Sequence, residues 1–295
     1  MNARQLHLLC LLDALGGTVD LLDFQKLLFL YSLEQGKESL YDFVPYKFGA
    51  FSFTSYADRR KLIERGVISA SEQCWELTSA GRRAIAKVPS AQTRAFAQKH
   101  GALRGDELIA YSYRKYPYYA IRSEIATRVL DGDEEALNRI VAARRVGRVR
   151  PLQTIGYEGH SLESYLNTMI RSGVTVLCDV RRTPISRKYG FSKSTLANGC
   201  SGVGIRYEHL PELGIASEQR QSLDTQEDYD ALFSEYERTY LPTQGENLER
   251  IASWIRKGDR VALTCYEHLP QQCHRHCVAD ALAALLGKDF SAKHL

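Results

Sequence analysis

Two stretches of this chain gather side chains able to do chemistry. In the run from Val261 to Leu286, Cys265, Glu267, His268, Cys273, His274, Arg275, His276 and Cys277 crowd the passage from a short apolar strand to an amphipathic helix. The second stretch is DVRRTPISRK, where Asp179 precedes Arg181, Arg182, Thr183, Ser186, Arg187 and Lys188 around Pro184. Arginine forks match phosphate oxygens in pairs, so this loop is expected to bind an anion such as a nucleotide or a nucleic-acid backbone. The other reading is a set of surface arginines paired with Glu158, Glu208 and Glu212.

Asp179 and Glu267 are the candidate catalytic carboxylates, because a pair in unlike surroundings can divide acid and base roles. Asp179 could equally serve as a salt bridge that orients Arg181. Cys273, at a helix N-terminus beside Arg275, would have a lowered pKa and act as a nucleophile, with His274 next to it. Alternatively, Cys265 is a small buried hydrophobe, and His274 and Arg275 are hydrogen-bonding struts. The Cys and His residues also suggest zinc. Cys273 and Cys277 lie four apart, but C-x7-C-H-R-H-C is not a standard structural-zinc spacing, so no metal is assigned and the cofactor is left unknown.

These residues need a scaffold that brings strand ends together. Leu152 to Tyr157, Val174 to Val180, Ile205 to His209 and Val261 to Thr264 read as strands, and Leu162 to Arg171, Tyr229 to Tyr240, Leu248 to Arg256 and the run from Val278 as helices. Strand, helix, strand implies parallel βαβ units. Tyr157 and Glu158, Asp179 and Arg181, Glu208 and His209, and Cys265 and Glu267 then fall at strand carboxyl ends, where open α/β sheets bind ligands, and Tyr157 joins the catalytic candidates. Upstream, Gln5 to Leu15, Asp23 to Gln35 and the segment YADRRKLIERG read as three helices, and Val67 to Val88 as strand, turn, strand and helix. That is the order of a winged helix. Arg59 and Arg60 would lie on the helix that enters the major groove; a protein-interaction module is the alternative. Three helical pieces follow, Asp106 to Lys115, Tyr118 to Val129 and Glu134 to Arg145, and then the basic run Arg144, Arg145, Arg148, Arg150. The expected organisation is a winged-helix-like domain at 1–90, a helical, basic linker region at 91–150 and a mainly parallel-sheet α/β domain at 151–295.

The phrases TIGYEGHSLESYL, DVRRTPISRKYGFSK, IRYEHLPELGIASE and CYEHLPQQCHR resemble the DUF488 family over about Leu152 to Gly287. The resemblance implies a compact α/β domain and carries Tyr157, Asp179, Arg181, Ser186, Arg187, Cys265, Glu267, Cys273, His274 and Arg275 as family positions, with no settled reaction. The chain departs from the family pattern at Ala216, His276 and Cys277. The segment KLLFLYSLEQGKESLYDFVPYKFGAFS is similar to Panacea/SocA-like antitoxin domains.

Composition narrows the function classes. Of the 295 residues 44% are hydrophobic and 25% charged, the balance of a globular protein, and a net charge of +4 is too small for a uniformly basic nucleic-acid binder. Any such binding must come from local patches. No segment has the apolar length of a membrane span, and there is no signal-peptide pattern, so a cytoplasmic protein with reduced thiols is expected. Two functions fit. One is an enzyme hydrolysing a glycosidic or phosphodiester bond in nucleic acid or a nucleotide, with the winged helix delivering it to DNA. The other is a DNA-binding regulator whose anion pocket is non-catalytic, a reading that brings a homodimer with it.

Overall fold

Asn2 starts the first helix with a reciprocal cap: its side chain accepts from the backbone N of Gln5, and the Gln5 side chain accepts from the backbone N of Asn2. Leu8, Leu9, Leu11 and Leu12 then bury the helix on both sides. The computed structural model describes residues 1–36, 40–144, 150–216, 219, 223–287 and 290–295. It divides into two units, Met1–Arg145 and Val146–Leu295.

The first unit runs α1 (Ala3–Ala14), β1 (Thr18–Asp20), α2 (Leu21–Gln35), β2 (Val44–Tyr46), β3 (Gly49–Phe51), α3 (Phe53–Glu64), β4 (Cys74–Glu76), α4 (Ser79–Ile85), α5 (Ala91–His100), α6 (Gly105–Lys115), α7 (Ala126–Val129) and α8 (Glu134–Ala143). The three expected helices are α1, α2 and α3, and Gly66, at φ 67, follows the last where a left-handed residue ends a helix. The strands differ from expectation. β4 pairs antiparallel with β1, a strand between α1 and α2, and the first expected wing strand is reduced to a single bridge, Ile68 to Leu77. The aromatic loop 41–53 holds the β2–β3 hairpin. Tyr118–Val129 is not one helix but a 3-10 turn, Pro117–Ala120, and the short α7.

Residues 91–144 belong with the first unit rather than forming a linker: Phe96 and Leu108 lie in one core with α1 and α2, and Tyr111, Tyr116 and Tyr119 pack against it. Arg145 and Arg148 of the expected basic run fall outside the described residues, while Arg144 and Arg150 are exposed. Lys26 on α2 is buried, its Nζ donating to the carbonyl of Ala50 at 2.9 Å. It lines a cavity of about 310 Å³ with Leu21, Leu22, Tyr46, Phe51 and Tyr56.

In the second unit β5 (Leu152–Gly156), α9 (Leu162–Arg171), β6 (Val176–Asp179), α10 (Lys193–Gly202), β7 (Arg206–His209), α11 (Gln226–Glu235), α12 (Gly245–Arg256), β8 (Val261–Cys265), α13 (Arg275–Leu286) and β9 (Lys293–His294) build a five-stranded sheet in the order β7-β6-β8-β5-β9. Every pair is parallel. Alternate residues face opposite sides of a strand. Leu152, Val176, Cys178, Val261 and Leu263 share a core with Ile251 and Ile255 of α12 and Val278 and Leu282 of α13. On the other face the Tyr165 hydroxyl of α9 donates to Thr264 Oγ1 at 2.6 Å. The register aligns Gly156 with Cys265, and Asp179 with both Thr264 and His209, so the chemistry-bearing residues end the strands together.

Candidate functional site

Asp179 is wholly buried at the end of β6, and four donors converge on its carboxylate. Oδ1 accepts from the Arg181 backbone N at 3.1 Å and Nε at 2.8 Å; Oδ2 accepts from Arg181 Nη2 at 2.5 Å and the Tyr207 hydroxyl at 2.6 Å. Arg181 Nη1 donates to the Tyr157 hydroxyl at 3.1 Å and the Phe191 carbonyl at 2.9 Å. Burial by itself lowers the guanidinium's pKa, but the hydrogen bonds and charge of Asp179 outweigh it and raise the value. Tyr157 is buried and stacked on Phe191, the ring centroids 4.4 Å apart and the planes 9° from parallel. These contacts change three expected roles. Asp179, Arg181 and Tyr157 form an interlocked strut behind the surface, and neither a free general base nor a free phosphate fork is present among them.

What the strut holds in place is the loop after β6. Arg182 and Arg187 are exposed and Lys188 is half-buried, its Nζ donating to the Tyr157 carbonyl at 3.1 Å. Burial lowers the Lys188 pKa. The Ser186 hydroxyl accepts from Lys188 N, while the Ser192 hydroxyl bonds both the N and the carbonyl of Ser186, closing the loop into a tight turn. Of the carboxylates set against these arginines at the sequence level, Glu208 pairs instead with Arg206 and Arg250, and Glu158 accepts from His268 N. Ile185 at 78% and Tyr189 at 40% exposure stand beside the basic residues.

The second group lies after β8. Arg275, 1% exposed, donates through Nη1 to the Glu267 carbonyl at 2.6 Å and through Nη2 to the His268 carbonyl at 2.9 Å. It is a clamp on the loop, not an anion ligand. Gly156 permits the same loop to cross the end of β5, because a Cβ there would stand 1.8 Å from the Glu267 carbonyl oxygen. Glu267 is half-buried, with Oε2 3.4 Å from Cys265 Sγ. Cys265, Cys273 and His274 are buried, and one donor atom from each lies within 4.8 Å of the others. Burial, then the hydrogen bond and charge of Cys265, push the Cys273 thiol well up, the reverse of the activation expected at a helix N-terminus. A second group, Glu237, His276 and Cys277, also brings donor atoms within 4.8 Å, but Glu237 is exposed.

The expected site thus resolves into two adjoining clusters. Asp179 and Thr264 share one face of the sheet, while Leu263 and Cys265, one residue either side of Thr264, point to the other. The His274 ring bridges them by a 2.9 Å bond between Nε2 and the Val180 carbonyl, and Tyr266, 45% exposed, meets the Tyr157 ring edge-on at 5.2 Å.

Residues 161–282 match a family model, DUF488, described as a domain of unknown function. The match covers Asp179, Arg181, Glu267 and the Cys265, Cys273, His274 group, and leaves Tyr157 just outside. No curated protein and no solved structure is significantly similar to the chain. In the first unit, Arg59 is half-buried: its Nη2 donates to the carbonyls of Ser71 and Cys74, and the guanidinium lies over the Trp75 ring. It holds the loop before β4 and is no phosphate ligand, whereas Arg60 is exposed. Tyr207 was missed from sequence because its approach to Asp179 depends on the β6–β7 register.

Proposed function

We propose that the second unit processes nucleic acid or a nucleotide at the carboxyl edge of its sheet, hydrolysing a glycosidic or phosphodiester bond, and that the first unit, read as a winged helix, holds it on DNA. One observation carries the reading: at that edge one loop exposes Ile185 and Tyr189 among Arg182, Arg187 and Lys188, and the other exposes Tyr266, which meets the Tyr157 ring, and Leu269. Flat apolar rings next to cations suit bases and phosphates together. Glu267 is the working carboxylate, half-buried at the rim, since Asp179 is enclosed by Arg181 and Tyr207. Arg60, Lys61 and Arg65, exposed on and just after α3, support DNA contact by the first unit.

The regulator reading draws on the engagement of Asp179 by Arg181 and Tyr207, which withdraws that carboxylate from turnover and leaves anion binding to the exposed Arg182 and Arg187. Fluorescence anisotropy of a labelled single-stranded oligonucleotide separates base stacking from a general basic surface. Tyr189→Ala and Tyr266→Ala should each weaken binding about 5- to 150-fold, corresponding to roughly 1–3 kcal/mol per stacked base, with little change in salt dependence. Arg187→Ala should weaken it and flatten the salt slope. Wild-type affinity in both tyrosine variants would remove the stacking platform.

A further inference from the structure

We infer that Cys265, Cys273 and His274 hold a zinc-class cation whose fourth position opens toward Glu267, and that the cation activates the water for the hydrolytic step. The inference deepens the reading above and takes its substrate from it. A tetrahedral cation bound at about 2.3 Å to sulfur and about 2.0–2.1 Å to nitrogen sets those two ligands about 3.6 Å apart. Cys265 Sγ and His274 Nδ1 are 3.8 Å apart. All three donors are buried, Cys265 at a strand end and Cys273 and His274 just before α13, with the sequence separation closed by the loop that Arg275 clamps. This is why a spacing rule for zinc does not detect them.

The surroundings point the same way. The Val180 carbonyl can only accept, so His274 Nε2 carries a hydrogen, and Nδ1 is the ring atom turned toward Cys265. A hydrogen-bonded outer partner of this kind fixes the tautomer of a metal-binding histidine. Two thiolates, one imidazole and a carboxylate beside the metal but not bound to it form a donor set that leaves one position for a water and lowers that water's pKa. Glu267, two residues after Cys265, is half-buried with Oε2 3.4 Å from Cys265 Sγ, while the triad itself is buried. Water at the open position gives a proton to Glu267, its oxygen bonds to the substrate's electrophilic atom, the bond to the leaving group breaks, and Glu267 returns the proton to that group. No other reactant is needed.

The test is a titration of the reduced full-length chain with zinc and cobalt(II), followed by metal analysis and visible spectroscopy. One equivalent should bind, and cobalt should give thiolate charge-transfer bands and tetrahedral d–d bands. Cys273→Ser should abolish the charge-transfer signature or halve it, and His276→Ala, in the neighbouring group, should leave it intact. Glu267→Gln should keep the metal and its spectrum while losing roughly 10²- to 10⁴-fold in rate. Failure of the folded, reduced wild type to bind either metal overturns the site whatever its activity, and that measurement does not depend on whether Cys273→Ser folds. Loss of the metal in Glu267→Gln overturns the open position. A normal metal complex without turnover on any nucleic acid would leave the cation site standing and remove the substrate reading.

Discussion

Asp179 and Arg181 carry opposite charges that burial would penalise separately, and the structure keeps both by giving the carboxylate four donors and the guanidinium four partner contacts. Removing one partner of a buried ion pair leaves the other charge uncompensated, at a cost of about 3–5 kcal/mol. Asp179→Asn should therefore lower the urea midpoint by that much stability and should not act as a folded variant with a slowed reaction. A variant that melts like wild type but turns over 10²-fold or more slowly would return Asp179 to the catalytic role read from the sequence. Gly156 makes a similar argument for the other cluster. Its missing side chain is what permits the Glu267 carbonyl to pass over β5, so position 156 controls where Glu267 sits.

At the scale of elements, β5, β6, β8 and most helices could be read from apolar runs and helical spacing, because those segments are buried, while β7 was read although none of its residues is fully buried. The elements that were missed lack such a pattern. β1 is a three-residue strand formed only because β4 crosses it, β9 is two exposed residues paired with β5, and α10 places only Leu196, Gly199 and Cys200 in the interior. The site was legible in its residue types and in its strand-end position. Its division was not, since facing depends on register and the register of parallel strands is set by the whole sheet. The same limit misassigned Arg59, whose partners are Ser71 in the loop before β4 and Cys74 at the start of β4. Arg59→Ala should destabilise the first unit while Arg60→Ala leaves its melting unchanged; Arg60→Ala should instead reduce the salt slope of DNA binding by about one. The reverse pattern would make Arg59 the DNA contact.

Lys26 gives α2 a pH dependence of its own. Burial lowers its pKa from 10.5 to about 7 in the folded chain. Between about 7 and 10.5 the unfolded chain holds the proton that the folded chain has released, so this residue makes stability rise with pH across that window and contributes a constant penalty below it. Lys26→Met should be more stable than wild type at pH 6 and should lose the rise between pH 7 and pH 9 in urea midpoints. An equal rise in the two proteins would place the charge elsewhere.

For the molecule as a whole, no helix among the described residues is long and apolar enough to cross a membrane, and the two units each have their own core. The first unit exposes basic side chains at α3, and the second carries a match to DUF488 over the strand ends where aromatic and basic residues meet. Hydrolysis of a nucleic-acid-derived substrate at that edge is the central claim. Its most direct measurement is mass spectrometry of the bases and nucleotides released when the purified full-length protein is incubated with modified and unmodified DNA and RNA, with and without added divalent metal. The account predicts a released base or nucleotide with wild type, lost in Glu267→Gln and retained in His276→Ala. No release from any substrate under either metal condition, or equal release by wild type and Glu267→Gln, would contradict it.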